Sequence, residues 1–542
     1  MQFLSYSTLL FAVPFLSHTL ASSCPITGPL LPAPQQLSTS ALIRAAGEKL
    51  GALYDLALSG SIIAGWQTNT TSFSIILTDA SNSPLWEYHH TASGNVNNTG
   101  DVNGDTQFRV ASVTKVFTDL LLLKLGLDLD DPITKYLPEL ACNDSPIRWK
   151  EITLGSLGNH LAAIPTGCSA GPYLESLGFP PLAVSDYPLC GVFGLSSTCT
   201  RKQHLIGLSK SRPVFPPFSR PVYSSVSFTL LGYVIEDVTG RTFEEVLERE
   251  IIQPLGMKNT GLRPKSETSG VIPPIDNLWS EDLGDNNPQW LKPTAETASL
   301  YNSVGMPWEI VRAANLTPAH PHVIDIYTKD GHVPGYTSRI GVIGEYEFGF
   351  TILTAGPFDS MNPLTEALLS VFLPAIEEAT RDEAKEYVGN FSTPANSTVK
   401  SHIVFTIDDG PGLKITEAFS NSSDLLAGVA ALRGFALGSA GDAEFDLRIY
   451  PAGISDTIDP DETIGTFGAS IKEDWRLVIE PWGPTFSELP SQKVYDEVCT
   501  TWMSHDVLYY GGRPADRFVF LKKEGKVVGI EIPFLRITLM KQ

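Results

Sequence analysis

The apolar run Val116-Phe117-Thr118-Asp119-Leu120-Leu121-Leu122-Leu123-Lys124-Leu125-Gly126 narrows the fold more than any other stretch. Its length and pattern predict a mostly buried helix closed by Gly126. The run is entered through Phe108-Arg109-Val110-Ala111-Ser112-Val113-Thr114-Lys115, so a helix starting near Ser112 places Ser112 and Lys115 on one face. A serine hydroxyl is a poor nucleophile until something takes its proton, and a lysine takes it only as the neutral amine. Burial disfavours the ammonium, as does the positive end of the helix dipole beside Ser112, so both push the Lys115 pKa down. The same helix end favours an oxyanion next to Ser112. A serine three residues before a lysine also arises at ordinary helix starts, with Ser112 capping and Lys115 solvated, so the rest of the chain must decide.

With 542 residues the chain exceeds one typical core, and two domains are expected after any targeting segment. A formal charge of -22 argues against nucleic acid or an anionic membrane as partner. Phe3 to Leu16 is apolar and leads to Thr19-Leu20-Ala21-Ser22-Ser23, the pattern of a secretory signal over residues 1–21, with cleavage after Ala21 or Ser23. No other segment is long and apolar enough to span a bilayer. Asn-x-Ser/Thr sequons at Asn69, Asn97, Asn143, Asn315, Asn390, Asn396 and Asn421 are candidate glycosylation sites. Cys24, Cys142, Cys168, Cys190, Cys199 and Cys499 form an even set without a C-x-x-C, which favours disulfides over zinc or redox chemistry. Cys190 with Cys199 is the first pairing expected, as a local loop closure. Together these features predict a secreted or secretory-lumen glycoprotein.

After a Pro-rich lead over residues 22–39, Ser38-Thr39-Ser40 can cap an amphipathic helix from about Ala41 to Leu58. Ser72 to Thr78 and Leu85 to His89 read as a β-hairpin, and a polar loop from Thr91 to Asp105 leads to the Ser112 helix. Further on come Asp130 to Pro138, Ile152 to Pro165, Tyr223 to Gly240, Pro254 to Thr260, and Lys329-Asp330-Gly331-His332-Val333-Pro334-Gly335-Tyr336. In type and order these segments resemble the motifs of the serine β-lactamase-related family. That family holds class C β-lactamases, D-Ala-D-Ala carboxypeptidases, penicillin-binding-protein-like esterases and some fungal acyltransferases. Ser-x-x-Lys followed by two later motifs is a known mark of penicillin-recognising enzymes.

The resemblance covers roughly residues 40 to 380. It implies an α+β fold, in which a β-lactamase/transpeptidase-like domain over 40–385 combines an antiparallel sheet flanked by helices with an all-helical lobe. Strands are expected at Thr337 to Ile343 and Phe348 to Ala355, then a helix from Leu364 to about Lys385 interrupted at Pro374. The loop-rich stretch from Pro172 to Pro217 reads as an insertion at the pocket mouth. From 386 to 542 short alternating strands predict a smaller β-rich domain, lipocalin-like by analogy alone.

By the same resemblance Ser112 attacks a carbonyl, Lys115 takes its proton, Tyr223 shares or relays it, and Lys329 holds a substrate carboxylate or steadies developing charge. The backbone N–H groups of Ser112 and His332 would form the oxyanion hole, with Ser225, Gly331 and His332 lining the substrate site. His332 can serve through its side chain or through its backbone only. Ser225 stands where the family commonly has Asn. A hydroxyl is shorter, so that contact is weakened or remade by water, which counts against β-lactam hydrolysis more than against acyl-enzyme chemistry. His320-Pro321-His322-Val323-Ile324-Asp325 has the wrong spacing for the zinc enzymes' ligand run, and no metal or other cofactor is expected. The reading is a serine hydrolase acting on an ester, amide or thioester of a small-molecule or peptide acyl substrate. An acyltransferase with the same acyl-enzyme, and a non-catalytic binding module, are the alternatives. Oligomeric state stays open.

Overall fold

The structure is a computed structural model and describes residues 26, 28–81, 84–94, 100–141, 145–166, 190, 198–264, 270, 293–421, 423–428, 445–458, 467–481, 501, 509–510 and 513–542. The expected signal segment, Cys24, Cys142, Cys168, Cys499, Asn97, Asn143 and most of the insertion at 172–217 lie outside the described residues. The chain divides into two compact units, Ala33–Glu383 and a second that joins the stretch up to Pro32 to Ala384–Gln542.

In the first unit the strands are β1 (Ser72–Asp79), β2 (Pro84–His90), β3 (Ala295–Glu296), β4 (Asn302–Val304), β5 (Glu309–Ala313), β6 (Ile324–Val333), β7 (Tyr336–Ile343) and β8 (Phe348–Ala355). They form one antiparallel sheet in the order β2-β1-β8-β7-β6-β5-β4-β3. The helices are α1 (Ala41–Leu58), α2 (Thr114–Lys124), α3 (Leu154–Gly158), α4 (Arg201–Lys210), α5 (Ser225–Thr239), α6 (Phe243–Leu247) and α7 (Met361–Ala384). Period-two alternation on β1 sends Phe73, Ile75 and Leu77 to one face, where they are fully buried with Phe348, Phe350 and Ile352 of β8. The stripe Ile43, Ala46, Leu50, Tyr54 and Ala57 of α1 is buried there too, joined by Leu368, Phe372 and Ile376 of α7. Each Leu, Ile or Phe side chain so buried contributes roughly 1.5–3 kcal/mol. Gly47 is the one position in the α1 stripe where a Cβ would meet an indole, lying 2.5 Å from Cδ1 of Trp86.

Two expectations need correction. Ser40 occupies the N-cap of α1 but its hydroxyl makes no capping bond. Pro374 does not interrupt the last helix, which runs unbroken from Met361 to Ala384. A proline inside a helix costs about 3 kcal/mol. Here Leu373 and Ile376 on either side are fully buried against the sheet, and that packing holds the helix across it.

A second core, built on Leu121, Leu122, Leu154, Leu157, Phe228 and Leu231, gathers α2, α3 and α5 into the helical lobe. The apolar run that follows Lys115 is therefore buried as its pattern predicts. Cys190 and Cys199 are joined in a disulfide with Cα atoms 5.0 Å apart. Asn69, Asn315, Asn390, Asn396 and Asn421 are all exposed. No described helix is long and apolar enough to cross a membrane.

The second unit is an up-and-down meander. Strands Gly389–Ser392, Ser401–Thr406, Leu413–Ser420, Phe445–Thr457, Ile471–Pro481, Arg517–Lys523, Lys526–Ile532 and Ile537–Lys541 pair antiparallel in sequence order. The last strand pairs with the first, so the sheet closes into a barrel. Among the described residues the interior is packed. Phe391, Phe405, Trp475 and Phe520 are essentially unexposed, and their ring centroids stand 5.2–5.8 Å apart wherever they pair.

A buried polar cluster ties the segment just before β6 and the β7–β8 turn to α7. His322 donates Nδ1–H to the His320 carbonyl at 2.9 Å, while its Nε2 lies 3.2 Å from Glu345 Oε1. Tyr346 donates to Glu377 at 2.6 Å, and Arg381 reaches the other oxygen of Glu377 at 3.3 Å. Burial alone would lower the His322 pKa, but Glu345, the His320 carbonyl and Glu377 outweigh it and raise it. A histidine with a raised folded pKa stabilises fully below the unfolded value of about 6.5, and the contribution is lost as pH rises through the folded value. His322→Gln should therefore lower Tm more at about pH 5.5 than at about pH 8.5, by a margin on the order of 2–4 °C. An equal loss at both values in paired thermal melts would show that the imidazolium contributes nothing.

Candidate active site

Ser112 does not open α2 itself. It lies in a single 3-10 turn, Ala111–Val113, immediately before α2 begins at Thr114. Ala111 has φ 46°, a left-handed backbone that costs a non-glycine residue about 1–2 kcal/mol. The turn is held against the sheet, since Ser338 on β7 donates to the Val110 carbonyl at 2.7 Å. Gly331 on β6 makes that approach possible. A Cβ there would overlap both the Val110 carbonyl oxygen and Ser338 Oγ.

Four residues read from the sequence come together. Lys115 Nζ donates to Ser112 Oγ at 3.1 Å, and Tyr223 Oη donates to the same oxygen at 2.8 Å. Lys115 is 2% exposed, its ammonium 5.2 Å from the ring centroids of Tyr223 and Phe228. Lys329 Nζ lies 5.3 Å from the Tyr223 ring centroid on the β6 side. Burial of Tyr223 works to raise its pKa, but Lys329, Lys115 and the Ser112 contact overcome this and lower it. Both cations thus act on the phenol. The Tyr223 ring keeps 44% exposure, so the site is open on that side.

The substrate-side residues are placed differently from one another. Ser225 is the first residue of α5, whose N-cap Ser224 accepts from Ser227 N–H at 3.2 Å and donates to the Pro165 carbonyl at 2.8 Å. Ser225 N–H reaches Thr166 Oγ1 at 3.4 Å. His332 pairs with Thr337 near the β6–β7 turn and is exposed, its ring stacked flat on Phe358.

Three further residues belong to the site that sequence patterns did not single out. His160, φ 64°, packs its ring 4.6 Å from that of Tyr223 and accepts the Ser224 N–H on Nδ1 at 3.4 Å. Burial, then Lys329 and Lys115, holds its pKa well below the usual range, so it supports Tyr223 without adding charge. Asp119, one turn beyond Lys115 on α2, is fully buried with no hydrogen-bond partner among the described residues for either carboxyl oxygen. Burial pushes its pKa well up, against the pull of Lys115. The signal was present in the sequence as the lone acid in the apolar run. Glu309, the first residue of β5, accepts from Lys329 Nζ on Oε1 and from Asp330 N–H on Oε2 at 3.2 Å. An acid opening a strand ahead of the lysine strand carries no such meaning by itself.

The sheet with its flanking helices and separate helical lobe defines an α+β domain of the β-lactamase/transpeptidase type. Residues 80–271 match the Beta-lactamase family model, and residues 379–542 the model described as "Beta-lactamase-like-like, C-terminal domain". The chain is 38% identical to the Beta-lactamase-like protein of Arthroderma benhamiae over 98% of both chains. It is 26% identical to the probable hydrolase clz13 of Cochliobolus lunatus, over 85% of this chain and 84% of that one. It is 28% identical to the probable hydrolase M10 of a Phoma species, over 87% and 85%. This chain belongs to the serine β-lactamase-related family.

Proposed function

We propose that this hydrolase of the β-lactamase-related family cleaves an ester, amide or thioester of a small acyl substrate through a covalent acyl-Ser112 intermediate. One observation carries the reading: Ser112 Oγ is met at once by the Lys115 amine and the Tyr223 phenol, at 3.1 and 2.8 Å. With the amine neutral, the proton on Oγ passes to Lys115 as Oγ bonds to the substrate carbonyl carbon. The carbonyl becomes a tetrahedral oxyanion, which the backbone N–H groups of Ser112 and His332 would hold. Its collapse breaks the bond to the leaving group, which takes the proton back by way of Tyr223. Water then repeats the sequence, its proton drawn off by Tyr223, whose lowered pKa suits it to that role. Gly331 and Ser338 keep the nucleophile in register with β6.

A binding module would have no use for an amine and a phenol converging on one hydroxyl, and that convergence favours the enzyme. Secretion is part of the proposal, supported by the Cys190–Cys199 disulfide and the exposed sequon asparagines. The test is turnover of a 4-nitrophenyl short-chain ester by the wild type and by Ser112→Ala. Loss of at least about 10³-fold in kcat/KM is expected, with thermal unfolding unchanged. Activity retained within tenfold would remove Ser112 from the chemistry.

A further inference from the structure

We propose that Glu309 is a specificity residue that bars acyl donors carrying a carboxylate beside the scissile bond, so that the natural substrate is uncharged there. This rests on the acyl-Ser112 reading. Family resemblance gives Lys329 one of two tasks, holding a substrate carboxylate or steadying developing charge, and the geometry leaves only the second open.

Lys329 is 1% exposed, and its ammonium donates to Glu309 Oε1 and to the Asp330 carbonyl, the latter at 2.9 Å. Glu309 is itself pinned, because its second oxygen accepts the Asp330 N–H at 3.2 Å. The Glu309 side chain is 38% exposed against 1% for that of Lys329. Solvent and substrate therefore meet the acid, with the lysine beneath it. The next cation along the sheet, Arg339 on β7, is closed off by a bidentate pair to Asp330, both contacts 2.6 Å, with Thr365 on a further guanidinium nitrogen at 3.0 Å. The cations of β6 and β7 are thus both matched by acids of the same sheet. Lys115 is committed to Ser112.

A carboxylate brought to Lys329 must either displace Glu309 from two hydrogen bonds or sit beside it as a like charge. An uncharged group meets neither penalty. Lys329 still acts on Tyr223, 5.3 Å from its ring centroid, so the pair keeps a catalytic use while losing the anion-binding one.

The experiment compares two esters of phenylacetylglycine, one with 3-hydroxybenzoate and one with methyl 3-hydroxybenzoate, which differ by a single carboxylate on the leaving group. The wild type is expected to favour the uncharged ester at least tenfold in kcat/KM. Glu309→Gln should shrink that preference at least tenfold through a gain on the charged ester, and Glu309→Asp should restore it. A wild type that turns over the charged ester as well as the neutral one overturns the proposal, with no variant needed. So does a folded Glu309→Gln protein that keeps the wild-type preference. Fluorophosphonate labelling of Ser112 is followed in every sample. If the wild type is not labelled, the acyl-enzyme reading fails and takes this inference with it. Labelling with an unchanged preference sinks this inference alone.

Discussion

Lys115→Met lowers kcat/KM by about 10²–10⁴-fold and leaves Tm unchanged or raised. The two effects separate because the amine and its stem do different jobs. Lys115 is 2% exposed, with its ammonium 5.2 Å from the ring centroids of Tyr223 and Phe228. Met fills nearly the same volume with a polarizable, uncharged chain, so packing survives and the cost of a buried amine disappears. On the proposed mechanism, what is lost is the group that takes the serine proton, whose Nζ is 3.1 Å from Ser112 Oγ. Steady-state kinetics beside a thermal melt checks both halves. A large drop in Tm would mean that Lys115 holds the fold, and near-normal turnover that it is not the base.

Gly331→Ala has the second large effect, and there stability and activity fall together. The added methyl would overlap the Val110 carbonyl oxygen and Ser338 Oγ, with the Val110 carbonyl carbon only 3.0 Å away. One obstacle is backbone, so a rotamer change cannot relieve the clash, and the turn carrying Ser112 must move off β6. Overpacking of this kind costs typically 1–3 kcal/mol. A displacement near 1 Å of a reacting group costs on the order of 10²-fold in rate. Gly331→Ala should therefore lose at least about 10²-fold in kcat/KM while still folding. Activity within tenfold of wild type would show that the nucleophile turn is not seated on the sheet as described.

Local pattern made much of this legible. Period-two alternation in Ser72 to Thr78 and the stripe through Ala41 to Leu58 depend on near neighbours only, and both elements occur, the helix with the expected bounds and the strand one residue longer. Ser112, Lys115 and Tyr223 stand out in the sequence because the first two are three residues apart ahead of an apolar run and the third opens a recognisable segment. Glu309 was not, because its meaning comes from strand pairing that sets Glu309 opposite Thr328 and so beside Lys329. No spacing rule links residues on separate strands. Pro374 misled for the complementary reason. Its local cost is real, yet the buried face of α7 decides the matter through contacts distant in sequence. The barrel strands were visible singly, whereas the filled interior follows from eight of them closing on one another.

Intact-mass spectrometry of the deglycosylated protein after exposure to a fluorophosphonate tests the central claim most directly, with Ser112→Ala alongside. One adduct per chain is expected, mapping to Ser112 and absent from the variant. No adduct on folded wild-type protein, or an adduct that persists in Ser112→Ala, would contradict it.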